Sequence, residues 1–246
     1  MNVVKYVNES YEILTPSQVF EDALFWIEQA GRTAYQSSHK IGNLCGTCGE
    51  KLVLGNGTPV VWEYWCPKCK KWGSTGAIPS SFKFAELILK RGHESVLEHV
   101  NITVRFITCR GMTHELVRHR LASYTQESTR FCNYSGDQFE KEIKIIDQRP
   151  HIKTARGLEA WLRVMGQIQD AYMEMIDAGE PPEVARGVLP NDLKTDIVMT
   201  ANLREWRHVF KLRTAATAHF NIRGLMRDLC EDFKQRLPII FNDIRW

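Results

Sequence analysis

Two Cys-x-x-Cys pairs, Cys45-Gly-Thr-Cys48 and Cys66-Pro-Lys-Cys69, lie 17 residues apart and constrain this chain more than any other feature. Each such turn aims two thiolates at one point, and two turns complete the tetrahedron of sulfurs that Zn²⁺ accepts as a closed structural site. The texture changes around them. Glycines stand at 42, 46, 49, 55, 57, 73 and 76, and the run Val60-Val61-Trp62-Glu63-Tyr64-Trp65 suggests a strand. A glycine-rich hairpin of this size owns no core, so a metal cross-link supplies its folding energy. The stretch reads as an inserted module, residues 40–78, interrupting one domain that otherwise runs from 1 to 246.

The two turns resemble those of zinc ribbons and rubredoxins. Ligand softness favours a structural zinc, while the spacing alone does not separate zinc from iron. Two further readings of the module remain. Lys68, Lys70, Lys71 and Trp72 place positive charge beside an aromatic ring, a combination able to meet phosphate and stack a base. A redox dithiol is the weaker reading, because redox pairs normally come singly in a βαβ setting.

The chain has 246 residues, of which 43% are hydrophobic and 25% charged, with a net charge of +3. This excludes a disordered or fibrous chain, and the global charge gives no indication of nucleic acid as a partner. No stretch approaches the ~18 apolar residues of a membrane-spanning helix, and the start lacks the basic-then-apolar order of a signal peptide, so a cytoplasmic protein is expected. Seven cysteines suit metal in a reducing compartment better than a disulfide framework, and Cys109, Cys132 and Cys230 read as small apolar fillers.

Thr15-Pro16-Ser17 predicts a capped helix start, and Phe20, Leu24, Ile27 and Ala30 carry the helix to about Tyr35. A second helix begins after Ser80-Ser81 and stops at Gly92. The next segment alternates as a strand that buries Val100, Ile102, Val104 and Phe106. Gly111 reads as a break and Thr113 as a cap for a helix over residues 114–122, followed by a polar loop from Ser123 to Gln126. The longest helix runs from about Thr154 to Ala178, with Leu158, Trp161, Leu162, Met165, Ile168, Tyr172 and Ile176 facing inward and Gly179 as its stop. A short helix from Pro181-Pro182, a strand over 196–202, and helices over 203–212 and 217–237 complete the chain. Without regular βα alternation or an internal repeat, the fold class is α+β.

Positive charge is concentrated locally. Arginines stand at 105, 110, 118, 120 and 130 against Glu115 and Glu127. On a helix Glu115, Arg118 and His119 share a face, and Gln126, Ser128 and Arg130 follow. One guanidinium grips a phosphate bidentately while hydroxyl and amide groups orient it, so the segment reads as an anion or nucleotide site, or else as a solvated basic face. Neither a G-x-G-x-x-G nor a G-x-x-x-x-G-K-[ST] loop is present, so the familiar phosphate-loop signatures are absent.

Arg118-His119-Arg120, seven residues and then Ser128 resemble the signature of the flavin-dependent thymidylate synthases, and Arg130 follows at the expected place. The similarity extends through the segment Gly92 to His99, through Glu183-Val184-Ala185-Arg186, Leu189-Pro190 and Thr200-Ala201-Asn202, and to Leu212-Arg213. It implies that family's fold, helices packed on a small, mostly antiparallel sheet. It also implies a methyltransferase that methylates deoxyuridine monophosphate (dUMP) reductively at C5, with methylenetetrahydrofolate as carbon donor, FAD as hydride carrier and NADPH as reductant. Carried over by motif position, Ser95, Arg118, His119, Arg120, Gln126, Asn202, Leu203, Arg204 and His208 contact FAD. Glu115, Arg118, Gln126, Glu127, Ser128, Arg130, Arg186 and Arg213 hold the nucleotide. Arg213 is the activating residue, whose fixed charge stabilises the anion developing on the uracil ring. The family forms a homotetramer whose sites draw on several subunits.

Bland readings stand beside these. His93 and His99 can be ordinary hydrogen-bonded histidines, and Arg207 the wet side of a helix. Ser128 lacks a defensible activating base and is assigned to phosphate rather than to nucleophilic attack. Cys109 and Cys132 have no recognisable motif around them. The cysteine module departs from the family pattern, and since Tyr35-Gln36-Ser37-Ser38 and Ser80-Ser81-Phe82-Lys83 could be joined directly, it reads as a loop insertion, a lid, a subunit contact or an ornament, with stabilisation of the assembly as the favoured role. The rival reading, a zinc-ribbon protein gripping nucleic-acid phosphates through the Arg118 region, leaves Arg186 and Arg213 unexplained.

Overall fold

The computed structural model describes residues 4–34, 36–54, 64–72 and 77–246. In chain order it contains β1 (Lys5–Val7), β2 (Ser10–Ile13), α1 (Ser17–Thr33), β3 (Asn43–Cys45), β4 (Val53–Leu54), β5 (Tyr64–Cys66), β6 (Lys71–Trp72), β7 (Ala77–Pro79) and α2 (Ser80–Lys90). Then follow β8 (Asn101–Cys109), α3 (Arg110–Leu116), β9 (Ala122–Gln126), β10 (Lys144–Ile146), α4 (Ala155–Asp177), α5 (Pro182–Ala185), β11 (Lys194–Asn202), α6 (Leu203–Arg213), α7 (Phe220–Arg236) and α8 (Pro238–Phe241). The fold is α+β, as expected. Among the described residues no helix is long and apolar enough to cross a membrane.

Two compact units divide the chain. One comprises Met1–Thr15, Ile102–Ala201 and Leu212–Leu229. It holds a four-stranded sheet in the order β2-β8-β11-β9, in which β2 pairs antiparallel with β8 and β9 antiparallel with β11. The alternation along β8 sends Ile102, Val104 and Phe106 to a fully buried face, as its sequence predicts. β11 does the same with Ile197 and Met199. Beside the sheet, β1 runs parallel to β10. Ile143, Ile145, Met165, Tyr172 and Leu193 form one apolar cluster there.

The other unit comprises Pro16–Asn101, Asn202–Lys211 and Cys230–Trp246. Its core is aromatic: Phe233 meets Phe20, Trp206, Phe210 and Phe241 with ring centroids 5.2–5.6 Å apart, mostly edge to face. Val100 is buried in this unit. α1 lies close against α2 at Gly31, where any Cβ would overlap the Phe84 ring. The cysteine segment belongs to this unit, and its two ends pair with each other as β3 and β7, in antiparallel register from Asn43–Pro79 to Cys45–Ala77.

Several expectations are corrected. Thr15 does not cap α1; its hydroxyl accepts from the Thr103 backbone at 2.7 Å, and the cap position is Pro16. The helix expected over residues 114–122 begins earlier and ends at Leu116, because Cys109 Sγ accepts from Met112 N and caps it there, leaving Gly111 and Thr113 inside. Ser123 to Gln126 is not a loop but strand β9, which pairs along β11 from Gln126–Ile197 to Ala122–Ala201. It is an edge strand of its sheet, and its half-buried face offers only Ala122, Tyr124 and Gln126, too weak an alternation to mark a strand. In α4, Leu162 faces outward while Gln169 is buried, its side-chain oxygen accepting from Ile143 N. The helix expected from about Thr154 starts at Ala155, and Thr154 caps it by accepting from Gly157 N. The last long helix starts at Phe220, not Thr217. Of the expected strand over 60–65, residues 60–63 lie outside the described residues, as does Tyr35 at the expected end of α1.

Candidate functional site

In the first unit the motif residues are held by backbone geometry more than by one another. After α3 the chain turns with Arg118 N donating to Glu115 O and His119 N to Leu116 O, so the expected helical face of Glu115, Arg118 and His119 becomes a helix end and a tight turn. Tyr124, on β9, pins that turn by donating to Leu116 O and His119 O, both at 2.8 Å.

Three of the expected residues converge. Arg213 Nη1 donates to Glu115 Oε2, Nη2 to Glu115 O and Nε to His119 Nε2, all at 2.9 Å. His119 is 4% exposed, whereas Arg118 and Arg120 point to solvent. The guanidinium plane is thus fixed on three sides, with a permanent positive charge that is only partly covered by one carboxylate.

Gln126 donates to the Thr113 and Thr195 hydroxyls at 3.1 and 3.2 Å. Glu127 accepts from Tyr134 Oη at 2.8 Å, from Lys194 Nζ at 3.1 Å and from Asp196 N at 3.2 Å. Burial, with the Glu127 charge beside it, pushes the Tyr134 hydroxyl up, so it remains a donor. Ser128 closes the next turn, its hydroxyl accepting from Arg130 N. Arg130 is exposed, pairs with Glu183 at 3.0 Å and covers the Phe131 ring. Arg186 is exposed, in a short 3₁₀ turn after α5. Tyr124, Tyr134 and Lys194 were not legible in the sequence. Tyr124 and Tyr134 reach the motif across five to eight positions through turns that carry no periodic signal, while the link of Lys194 to Glu127 depends on the β9–β11 register.

Cys109 and Cys230 are buried, and burial pushes both thiols up, Cys230 to about 11. Cys132 is also raised by burial. None of the three is a ready thiolate.

In the second unit, Ser95 and Arg204 line one cavity of about 950 Å³. Its wall also carries Arg32, Lys40, Lys83 and Arg91, and its apolar side includes Leu44, Phe84, Leu87 and Ile88. His93 and Glu94 complete its rim; His99 is exposed outside it. Arg204 donates to Glu98 at 2.5 Å. Asn202 caps α6, its side-chain oxygen accepting from Glu205 N. Leu203 is fully buried and donates its backbone N–H to Val100 O. His208 is exposed on α6. Arg207, read from sequence as a solvated residue, is 3% exposed; it donates to the Ile240 carbonyl and grips Asp243 with two 2.7 Å bonds. An i, i+3 position next to Arg204 gave no hint of this, because its partners come from the chain end.

The four thiols gather as the spacing predicts. Cys45 Sγ lies 3.9 Å from Cys69 Sγ and Cys48 Sγ 3.5 Å from Cys66 Sγ, and all four sulfurs lie within 4.8 Å of one another. Four sulfurs about 2.3 Å from one tetrahedral ion stand about 3.8 Å apart, so the donor set fits a knuckle. The two turns are built alike. Gly49 N donates to Cys45 O and Lys70 N to Cys66 O, each at 2.8 Å, and both residues are left-handed, with φ of +73° and +52°. Glycine takes that conformation freely, while Lys70 carries about 1–2 kcal/mol of strain. The Cys48 and Thr47 backbone N–H groups hold the Cys45 thiol down to about 6, whereas hydrogen bonding with Cys48 and Cys66 pushes Cys69 up to about 12. Four thiols this close share their first negative charge, and a bound cation is what lets all of them ionise. The Lys71 and Trp72 side chains of the alternative contact surface lie outside the described residues.

The chain is 41% identical over 160 residues to a flavin-dependent thymidylate synthase from Pyrococcus furiosus, a match covering 64% of this chain and 62% of that protein. It is 38% identical over 162 residues to the enzyme of the same name from Geobacter sulfurreducens, covering 65% of this chain and 68% of that one. It is 34% identical over 175 residues to that from Corynebacterium efficiens, covering 64% and 67% respectively. The chain therefore spans somewhat less than two thirds of the Pyrococcus relative. The family described as thymidylate synthase complementing protein matches residues 18–239. With nine-tenths of its length inside that match, the chain belongs to the thymidylate synthase complementing protein family.

Proposed function

We propose that this protein is an FAD-dependent thymidylate synthase, a methyltransferase that converts dUMP to dTMP. Methylenetetrahydrofolate is its carbon donor and NADPH its reductant. The observation that carries the reading is the triply anchored Arg213 guanidinium, at the motif position of the ring-activating arginine.

Arg213 has the chemistry for that role. Its charge is permanent, and its orientation is set by Glu115 and His119 before a ligand arrives, so no reorganisation is needed when negative charge grows on a uracil ring. Glu115, Arg118, Gln126, Glu127, Ser128, Arg130 and Arg186 are assigned to the nucleotide. Exposed Arg118, Arg130 and Arg186 suit a phosphate that arrives from solvent.

Ser95, Arg118, His119, Arg120, Gln126, Asn202, Leu203, Arg204 and His208 are assigned to FAD. The donor set of the 950 Å³ cavity, basic on one side and apolar on the other, fits a dinucleotide with a flat ring. When bound, the flavin supplies the hydride transfer that no side chain can perform. The chain's own task is to hold phosphate, shield the ring and fix the substrate's orientation.

Cys45, Cys48, Cys66 and Cys69 are assigned to a structural zinc within an insertion over residues 40–78. Thiols gathered for a metal rather than paired in disulfides support a cytoplasmic site of action. Leu121 and Phe131, 73% and 78% exposed beside the motif, support burial against other subunits of a homotetramer.

A visible absorption spectrum, recorded after loading with FAD and removing the excess, tests the reading. Flavin bands that shift on adding dUMP are expected, and a colourless protein overturns it. Arg213→Ala should lower turnover by roughly 10²–10³ while FAD is retained. Near-normal turnover would remove the assigned role.

A further inference from the structure

The thiolate knuckle and the basic cavity share a strand. Leu44 of β3 lines the cavity, and the next residue, Cys45, is a member of the four-sulfur cluster. His39 and Lys40, just before β3, also line the cavity, as does Ser80 just after β7. The segment that closes one side of the cavity is therefore the foot of the knuckle.

That foot is latched at one end and hung from the knuckle at the other. Ser80 N donates to Gly42 O at 2.7 Å and Gly42 N to Ser80 Oγ at 3.0 Å. The Ser80 hydroxyl in turn donates at 2.6 Å to Glu28, which is 1% exposed and also paired with Arg32 of the cavity wall. On the knuckle side, Lys51 Nζ donates to the His39 carbonyl at 2.6 Å, Leu52 N to Asn43 O and Cys45 N to Glu50 O, each at 2.8 Å. The residues between the two cysteine turns thus reach back to the cavity wall. Among the residues of this segment whose side chains are described, Leu52 and Cys66 are buried, and the four sulfurs supply the donors for a metal cross-link.

We infer that the metal knuckle is a working wall of the cavity: metal held by the four thiolates keeps His39, Lys40 and Leu44 in place, and Lys40 is a contact for the phosphates of a flavin nucleotide bound there. The inference rests on the proposed flavin dependence for its ligand, but the wall itself rests on the contacts above. Charge supports the ligand class. Glu28 pairs with Arg32 and Glu98 with Arg204, while Lys40, Lys83 and Arg91 leave the wall with an excess of positive charge. An anion with an apolar ring matches both sides of this cavity. The metal acts as a positioning element, distinct from any reacting group.

Two measurements on the full-length protein test this. In the first, hydrogen exchange of residues 37–52 is compared before and after chelation. Exchange should rise across the whole segment and recover on adding Zn²⁺, and unchanged exchange over 37–44 overturns the wall. In the second, FAD is titrated by flavin fluorescence into metal-loaded protein, stripped protein and metal-loaded Lys40→Ala. Loss of a charge-assisted phosphate contact should weaken FAD about tenfold in Lys40→Ala with metal content unchanged, and stripping should weaken it at least as much. Equal affinity in all three forms overturns the role of Lys40. If metal-loaded protein takes up no FAD, the flavin reading and the Lys40 contact fail together, while the exchange result still decides whether the knuckle forms the wall.

Discussion

Two regions of one unit keep their shape by opposite means. Trp206, Phe210, Phe233 and Phe241 are fully buried, the three phenylalanines interlocked edge to face and Trp206 stacked on Phe210, so their order comes from removing apolar surface from water. The segment Asn43–Pro79 has strands of two or three residues and gathers four sulfurs within 4.8 Å of one another, a donor set that can cross-link it through a metal. Burial needs many residues acting together, whereas a metal needs four correctly placed donors.

Removing the metal should have the largest effect. Structural zinc contributes about 10–16 kcal/mol of apparent binding energy in small thiolate modules, so Cys66→Ser or a chelator should release one ion per chain and unfold Asn43–Pro79. Metal analysis with hydrogen exchange reads this out. If protection in α7 is lost as well, the two regions are not independent.

Phe233→Ala should do the reverse. Deleting the ring at the centre of the aromatic cluster should cost about 3–5 kcal/mol in denaturant unfolding, with one metal still bound per chain. Loss of metal in that variant would join the two regions.

A smaller effect is expected at the edge of the core. Arg207 holds the Asp243 carboxyl below the usual carboxylate range through paired hydrogen bonds. A depressed folded value means that the unfolded chain binds more protons, so this contribution is complete above the ordinary carboxylate value of about 3.9 and is lost as pH falls through the lowered one. Asp243 is half exposed, so Asp243→Asn should cost only about 1–2 kcal/mol at neutral pH and flatten the acid limb of the stability curve. An unchanged acid limb would show that the pair carries no linkage.

Thr154→Ala touches neither region. Loss of its cap on α4 should cost about 1 kcal/mol in thermal unfolding, leaving metal content and FAD affinity as they were. A change in metal content would point to coupling through the body of the protein.

Residue by residue, legibility followed the range of the interaction. The stripe on α4, the buried face of β8 and the two cysteine turns were readable because each depends on neighbours a few positions away. Strand β9 is not legible because Ala122 and Tyr124 alone mark its half-buried face and its identity comes from β11, some seventy positions on. Arg207 was misread because its partners, Ile240 and Asp243, lie more than thirty residues away. For the candidate site, the motif identified Glu115, His119 and Arg213 as members, but not that Arg213 would be gripped by the other two across 94 and 98 positions.

The sequence by itself determined the donor types, their spacing and the helical and strand periods, since these follow from backbone geometry repeated every few residues. Only the tertiary structure decided that Cys45 lies closest to Cys69 and Cys48 to Cys66, that Glu127 meets Lys194, and that Lys40 and Leu44 close a cavity reached by Arg204. Such pairings join chain positions whose approach depends on sheet register and on which surfaces exclude water, and neither is encoded in local spacing.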